Sequence, residues 1–174
     1  MIYFVRHGET DYNKEARLQG HRNIPLNKTG LNQAKQAQEN SKDLQIDEIY
    51  SSPLSRAKKT AEIINKHHKV KITYDDRLKE IYMGKLQGAY IKDLSEEEKQ
   101  LSHSNPETFG GESIQEFCAR VESFFKEIEN TNKNILIVSH GGVYRAIYRY
   151  IKGFEDLNFD MEQLKNATIV LINK

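Results

Sequence analysis

Short, almost unbroken apolar runs recur along the chain, at Ile2-Tyr3-Phe4-Val5, Ile49-Tyr50, Val70 to Tyr74, Ile135-Leu136-Ile137-Val138 and Ile169-Val170-Leu171-Ile172. Their β-branched and aromatic content predicts strands buried on both faces, as in sheets covered by helices. Between them the apolar spacing switches to the helical period. Leu31, Ala34 and Ala37 share one face, as do Leu54, Ala57, Ala61 and Ile64. The longest stripe joins Ile114, Phe117, Val121, Phe124 and Ile128. Ser113-Ile114-Gln115-Glu116 opens it with a capping-box pattern. Strands alternating with helices predict a layered α/β fold with a mostly parallel sheet.

Composition narrows the picture. At 174 residues the chain is about the size of one domain, and no repeat, low-complexity tract or linker divides residues 1–174. Gly110-Gly111 and Asn105-Pro106 are loop punctuation. Hydrophobic clusters along the whole length argue against disorder. The longest aliphatic runs are four residues, and mean hydropathy is −0.74, which excludes a membrane span. Met1-Ile2-Tyr3-Phe4-Val5-Arg6 is too short an apolar start for a secretion signal. One cysteine, Cys118, permits no internal disulfide and fits a reducing, cytoplasmic setting. Lys and Arg number 26 against 25 Asp and Glu, interleaved, so there is no net positive field to draw nucleic acid.

In open α/β sheets ligands gather at the carboxyl ends of strands. The residues just past each strand are therefore informative. They are Arg6-His7-Gly8-Glu9-Thr10, Ser51-Ser52-Pro53-Leu54-Ser55-Arg56, Asp75-Asp76-Arg77-Leu78-Lys79-Glu80 and Ser139-His140-Gly141-Gly142. This topology predicts two histidines, two arginines and a carboxylate on one sheet edge. A neutral imidazole is a nucleophile near pH 7 and can carry a phosphoryl group. Arg6 and Arg56 offer planar forks for phosphate oxygens. Ser52 before Pro53 reads as an N-cap, which places Arg56 in a helix's first turns beside free N–H groups. Gly8 and Gly141 are expected to let the backbone approach the ligand closely. Glu80 is the candidate proton donor to a leaving alkoxide, with Asp75, Asp76 and Glu9 as rivals on spacing alone. His67, His68 and His103 read as packed or solvent-facing rings, and His21, in a loop near the proposed site, stays open between the two readings.

Arg6-His7-Gly8-Glu9-Thr10 resembles the phosphohistidine signature of the histidine phosphatase superfamily, which also contains cofactor-dependent phosphoglycerate mutases. The resemblance extends through Leu18-Gln19-Gly20, Pro25-Leu26-Asn27, the segment Ser51 to Ala57, Gly111-Glu112-Ser113 and Ser139-His140-Gly141-Gly142. It implies an α/β/α sandwich, with His7 phosphorylated, Arg6, Arg56 and His140 forming the phosphate pocket, and Glu80 as acid and base. Asn13, Gln19, Gly20 and the Gly141 N–H become the substrate-binding set. It implies no metal and no cofactor.

Mutases of this family carry Asn after the His-Gly of the last motif, where this chain has Gly142. They also follow the donor Glu with an Arg-Tyr-Gly-type segment, where this chain has Ile81-Tyr82-Met83-Gly84. The resemblance therefore points to the phosphatase branch, near alpha-ribazole and broad-specificity phosphatases, and to a small phosphomonoester as substrate. Phosphoglycerate mutase is the alternative. A phosphate binder without turnover and a metal site on His7 and His140 are weaker ones. Residues 86–110 are expected to form a cap, with a helix over about 92–101. This segment lacks a dense cationic cluster, which disfavours bisphosphates, while Tyr90, Ile91 and Tyr144 offer a partly apolar wall.

Overall fold

Side chains alternate across the two central strands, so each strand feeds two cores at once. In β1 (Ile2–Arg6), Ile2 and Phe4 face one way and Tyr3 and Val5 the other; in β4 (Ile135–Ser139), Ile135 and Ile137 oppose Leu136 and Val138. The computed structural model describes residues 1–153 and 164–172. With β2 (Glu48–Ser51), β3 (Lys71–Tyr74) and β5 (Ile169–Leu171), these strands make a five-stranded sheet in the order β3-β2-β4-β1-β5. Every pairing is parallel except β1 with β5. The sequence reading of uniformly buried strands holds for β1 and β4 only. β3 and β5 are edge strands with part-exposed residues, because each has a neighbour on one side alone.

Helices cover both faces. α2 (Lys28–Asn40) and α3 (Ser55–His68) bring Ala37, Ala57, Ala61 and Ile64 onto Tyr3, Val5, Leu136 and Val138. Alanines at these positions let α2, α3 and the sheet approach closely. On the other face, α5 (Ile114–Ile128) and α6 (Gly141–Lys152) pack Phe117, Val121, Phe124 and Ile147 against Phe4 and Ile137. α5 has the predicted bounds and cap: Ser113 Oγ accepts from Glu116 N–H, and the Glu116 carboxylate accepts from Ser113 N–H. The result is the α/β/α sandwich. No helix among the described residues is long and apolar enough to cross a membrane.

Two local expectations change. Helix α3 starts at Ser55 with Leu54 at its N-cap and no capping side chain, so Ser52 is not the cap. The segment expected to cap the site carries its helix, α4, at Glu96–Ser104, a turn later than expected, because Ser95 and Glu98 form a capping box there. Before α4, residues 88–91 zip onto residues 16–18: Gly88 N–H donates to Leu18 O, Leu18 N–H to Ala89 O and Ile91 N–H to Ala16 O. That stretch is thereby tied beside α1 (Asp11–Lys14), the single turn that follows β1.

Phe124 is buried between the sheet and α5, with Tyr50 edge-on at 5.4 Å between ring centroids. Phe124→Ala is expected to lower unfolding stability by about 3–5 kcal/mol, the range for a large aromatic whose site collapses poorly. Urea unfolding measures it; a loss below about 1 kcal/mol would mean that this core repacks freely.

Candidate active site

The carboxyl ends of β1, β4 and β2 lie side by side in the sheet, so the residues that follow them share one edge. His7 and His140 meet there with ring centroids 5.2 Å apart, and both rings are buried. Arg6 ends β1, and Arg56 enters from the first turn of α3. Glu80 arrives on the loop after β3. Arg6, His7, Arg56, Glu80, Asn13, Gln19, Gly20 and Gly141 all line one cavity of about 510 Å³. His140 stands behind it, against His7. The expected convergence is thus observed for every residue proposed.

The two imidazoles meet different hydrogen-bond partners. His7 Nδ1 lies 2.7 Å from the Gly8 carbonyl, which can only accept, so Nδ1 carries the proton and Nε2 keeps its lone pair. His140 Nε2 lies 2.8 Å from Ser52 Oγ, while Nδ1 is buried without a partner. Ser52 Oγ also accepts from Leu54 N–H at 3.3 Å. We assign the hydroxyl proton to Nε2, which puts the ring proton on Nδ1, the buried atom without a partner among the described residues. Burial, followed by the charges of Arg56 and Arg6, holds the His7 pKa well below 6.5; burial, then Arg56, His7 and Arg6, does the same for His140. Both rings are neutral at pH 7.

The arginines are held from behind. Arg56 Nη1 donates to Arg22 O and Nη2 to Gly20 O, each at 2.8 Å. Burial lowers its pKa to about 10 and lowers that of Arg6 as well, with Glu80 opposing both shifts. Both remain cations at neutral pH. Among the described residues, the buried side-chain nitrogens without a partner are Arg6 Nε, Arg56 Nε and His140 Nδ1. Buried donors are almost always satisfied in folded proteins, so three orphans around one histidine mark a place prepared for an oxyanion.

Of the rival acids, only Glu80 reaches the cavity. Asp75 chelates Arg77, Asp76 pairs with Lys79 on the surface, and Glu9 accepts from Asn27. Glu80 Oε2 accepts from Gly142 N–H at 3.2 Å. A Cβ at position 142 would overlap Glu80 Oε1, so the bare backbone there is a condition for the carboxylate's approach. The reason for Gly8 differs from the one expected: a Cβ there would overlap the Gly30 carbonyl at the start of α2, a packing constraint inside the fold.

Asn13 and Gln19 share a hub in Thr10. Asn13 Oδ1 accepts from Thr10 N–H at 3.1 Å, so the single proton of Thr10 Oγ1 is available to Gln19 Oε1 at 2.9 Å, and both NH₂ groups are left for the cavity. The open question at His21 resolves to support: its Nε2 donates to Glu80 O at 2.6 Å and its ring packs on Tyr82. His103, read as a packed or solvent-facing ring, is exposed and borders the cavity from α4. Tyr144 does not form a wall; it packs on Phe4, ring centroids 5.0 Å apart.

Sequence reasoning missed a clamp. Arg120 of α5 donates to Arg77 O, Lys79 O and Glu80 O, and pairs with Glu112 through Nε at 2.6 Å and Nη2 at 2.9 Å. One guanidinium therefore fastens the Glu80 loop to α5. The Gly111-Glu112-Ser113 motif was the visible signal; its partner on α5 was not. Ser52 was misassigned as a helix cap. Among the described residues, no group of three or more His, Cys, Asp or Glu is arranged to hold a metal ion.

A family model described as histidine phosphatase superfamily (branch 1) matches residues 2–173. The probable phosphoglycerate mutase GpmB of Salmonella paratyphi A is 38% identical over 181 residues, covering 99% of this chain and 84% of that protein. Among solved structures, phosphoglycerate mutase from Thermus thermophilus is 32% identical with a TM-score of 0.70, over 87% of this chain and 84% of its own. Mycobacterial hydrolase 1 is 25% identical with a TM-score of 0.75, over 97% of this chain and 88% of its own.

The neutral rings give a pH signature. In the unfolded chain both protonate near 6.5, whereas in the fold their pKa values lie well below it. Below pH 6.5 the unfolded state therefore binds more protons, and stability is lost as pH falls. Each ring contributes about 1.4 kcal/mol per pH unit once below its unfolded value. Urea unfolding between about pH 7 and about pH 5.5, above the carboxylate range, is expected to show this slope, and a His7→Gln/His140→Gln double variant to flatten it. An equal slope in the variant would mean that these rings protonate within the fold.

Proposed function

The chain belongs to the histidine phosphatase superfamily, branch 1, whose members are phosphatases or mutases, and within it we propose that this protein is a phosphomonoesterase acting through phospho-His7 without a metal. The observation that carries the reading is the set of three orphaned buried nitrogens on Arg6, Arg56 and His140, residues that lie around the His7 ring. They supply a phosphoryl group with positive charge and donors in a water-poor setting, where such interactions are strongest.

The steps follow from the atoms. His7 Nε2 attacks phosphorus, forming a P–N bond as the ester P–O bond breaks. Arg6, Arg56 and His140 Nδ1–H hold the equatorial oxygens, with the amides of Asn13 and Gln19 and the Gly141 N–H beside them. Glu80 gives its proton to the departing alkoxide. It then takes a proton from the water that attacks phosphorus, the P–N bond breaks, and inorganic phosphate leaves. The Gly8 carbonyl holds the Nδ1 proton throughout, which keeps the reacting nitrogen the same in both steps. Arg120 and His21 act on this chemistry as positioning residues, through the backbone of the Glu80 loop.

Release to water in preference to transfer is supported by Gly142, which presents only backbone beside Glu80 where the mutase pattern carries an amide side chain. The second reading, phosphoglycerate mutase, is favoured by the name of a relative that is 38% identical. Phosphorus NMR of 3-phosphoglycerate with catalytic bisphosphate separates them. Growth of inorganic phosphate supports hydrolysis; rapid equilibration to 2-phosphoglycerate without phosphate release makes the protein a mutase.

With chelator present, the wild type is expected to release phosphate from small monoesters and His7→Ala to release none above background. Activity that needs added metal, or that survives His7→Ala, overturns the mechanism. Glu80→Gln is expected to lower kcat for an alkyl phosphate by about 10²–10⁴-fold, the usual weight of a general acid. The loss should be much smaller for p-nitrophenyl phosphate, whose leaving group needs little protonation. Arg120→Met, which unties the Glu80 loop, should shift the same alkyl-to-aryl ratio in the same direction. Equal losses on both esters would remove Glu80 from the acid role.

A further inference from the structure

We propose that the cavity contains a second anion site built on Arg145 of α6, so that the preferred ester carries another negative group, a carboxylate or a phosphate, on its alcohol portion. This deepens the phosphomonoesterase reading and rests on it for the placement of the first phosphate. A cavity of about 510 Å³ falls in the range that holds a whole organic ligand, not a phosphoryl group alone. Gly142, Arg145 and Arg149 stand at i, i+3 and i+7, on one stripe of α6, and all three line the cavity. Gly142 N–H marks where Glu80 meets the helix. Arg145 therefore follows about 4.5 Å further along the axis, at 1.5 Å per residue, on the side of the reacting centre away from β4.

The ordinary account of a helix arginine is a solvated side chain or an ion pair. Arg145 is only partly exposed and forms no hydrogen bond or ion pair with any described residue. Other arginines of this region are committed. Arg17 donates to Glu15 and to Gly88 O and stacks over Tyr12, and Arg120 is spent on Glu112 and three carbonyls. Arg149 engages the Cys118 thiol. Glu80 is the carboxylate that lines the cavity among the described residues, and its oxygens are occupied at Gly142 and Ile81. A guanidinium on a half-desolvated wall with no counter-ion among the described residues has its fork available for an anion brought by the ligand. The same cavity is lined by Phe117 of α5 and Ala146 of α6, an apolar surface that suits a short carbon chain.

The cap segment lacks a dense cationic cluster, which disfavours bisphosphates; the cation of the proposed second site comes from another element, α6.

The test uses two non-hydrolysable phosphonates, 3-phosphonopropionate and propylphosphonate, titrated calorimetrically into wild type, Arg145→Met and Arg145→Lys at matched ionic strength. Both ligands are measured on each protein, so any general change in the phosphoryl pocket or in folded fraction cancels in the ratio of affinities. Wild type is expected to prefer the carboxylated ligand by tenfold or more, Arg145→Met to reduce the preference to within twofold, and Arg145→Lys to retain part of it. A wild-type ratio near one, or a ratio that Arg145→Met leaves intact, overturns the second site alone. Binding of neither phosphonate to wild type overturns the phosphoryl pocket and the second site together.

Discussion

Two guanidinium groups set beside two neutral imidazoles at the end of a parallel sheet are the constraint on which the rest of this structure depends. Burying a cation is expensive unless its donors are satisfied and a counter-charge is near. Arg56 ranks among the largest fully buried side chains, and the fold meets two of its donors with the carbonyls of Gly20 and Arg22. That requirement shapes the loop between α1 and α2, which turns its carbonyls inward to the guanidinium. It also shapes the loop after β3, because Glu80 is the carboxylate within Coulombic reach of both arginines. Arg120 and His21 then hold the Glu80 backbone from two sides. Loop positions that look unrelated in the chain are in this sense consequences of one buried charge cluster.

The layers serve the same end. The order β2-β4-β1 places three carboxyl ends next to one another, and this brings Ser52, His140 and His7 together from positions far apart in sequence. A parallel sheet covered on both faces has little freedom to slip, since a shift by one residue would exchange its two cores. The site inherits that rigidity. Its histidines sit directly after strand ends, and each ring is held by an atom just past a strand end, the Gly8 carbonyl or the Ser52 hydroxyl.

What the chain disclosed in advance follows from the range of each interaction. The runs at Ile2–Arg6 and Ile135–Ser139 and the capped stripe at Ile114–Ile128 were legible because periodicity and capping are local. His7, His140, Arg6, Arg56 and Glu80 were legible because strand ends predict where ligands gather, and the family motif marks the same positions. The edge exposure of β3 was not, since a short apolar run does not report its place in the sheet order. Ser52 was misread because a Ser-Pro pair before a helix satisfies the local rule for a cap, and only the tertiary fold shows its hydroxyl on an imidazole 88 residues away. Arg120 and Arg145 were illegible for a related reason. Each is one arginine on a helix, and its meaning lies in what the opposite wall does or does not offer it.

Arginines of the cavity region therefore divide by whether the fold itself answers their charge. Arg120 and Arg17 are answered within the chain by Glu112 and Glu15, so their work is structural: one fastens a loop and the other stacks on tyrosines beside it. Arg6 and Arg56 are answered in part, by a single carboxylate that must also serve both. In the proposed mechanism an incoming phosphoryl dianion would compete with Glu80 for those cations, and the carboxyl would serve as acid and base. On that proposal, the counter-ion of the unliganded site and the acid of the liganded one are the same group. Such an exchange requires that no second carboxylate crowd the cavity, as holds for the lining among the described residues, and that Glu80 keep its place when its charge partners change. The backbone grip of Arg120 and His21 meets that second requirement, because it acts on the carbonyl of Glu80 and is indifferent to the state of its side chain.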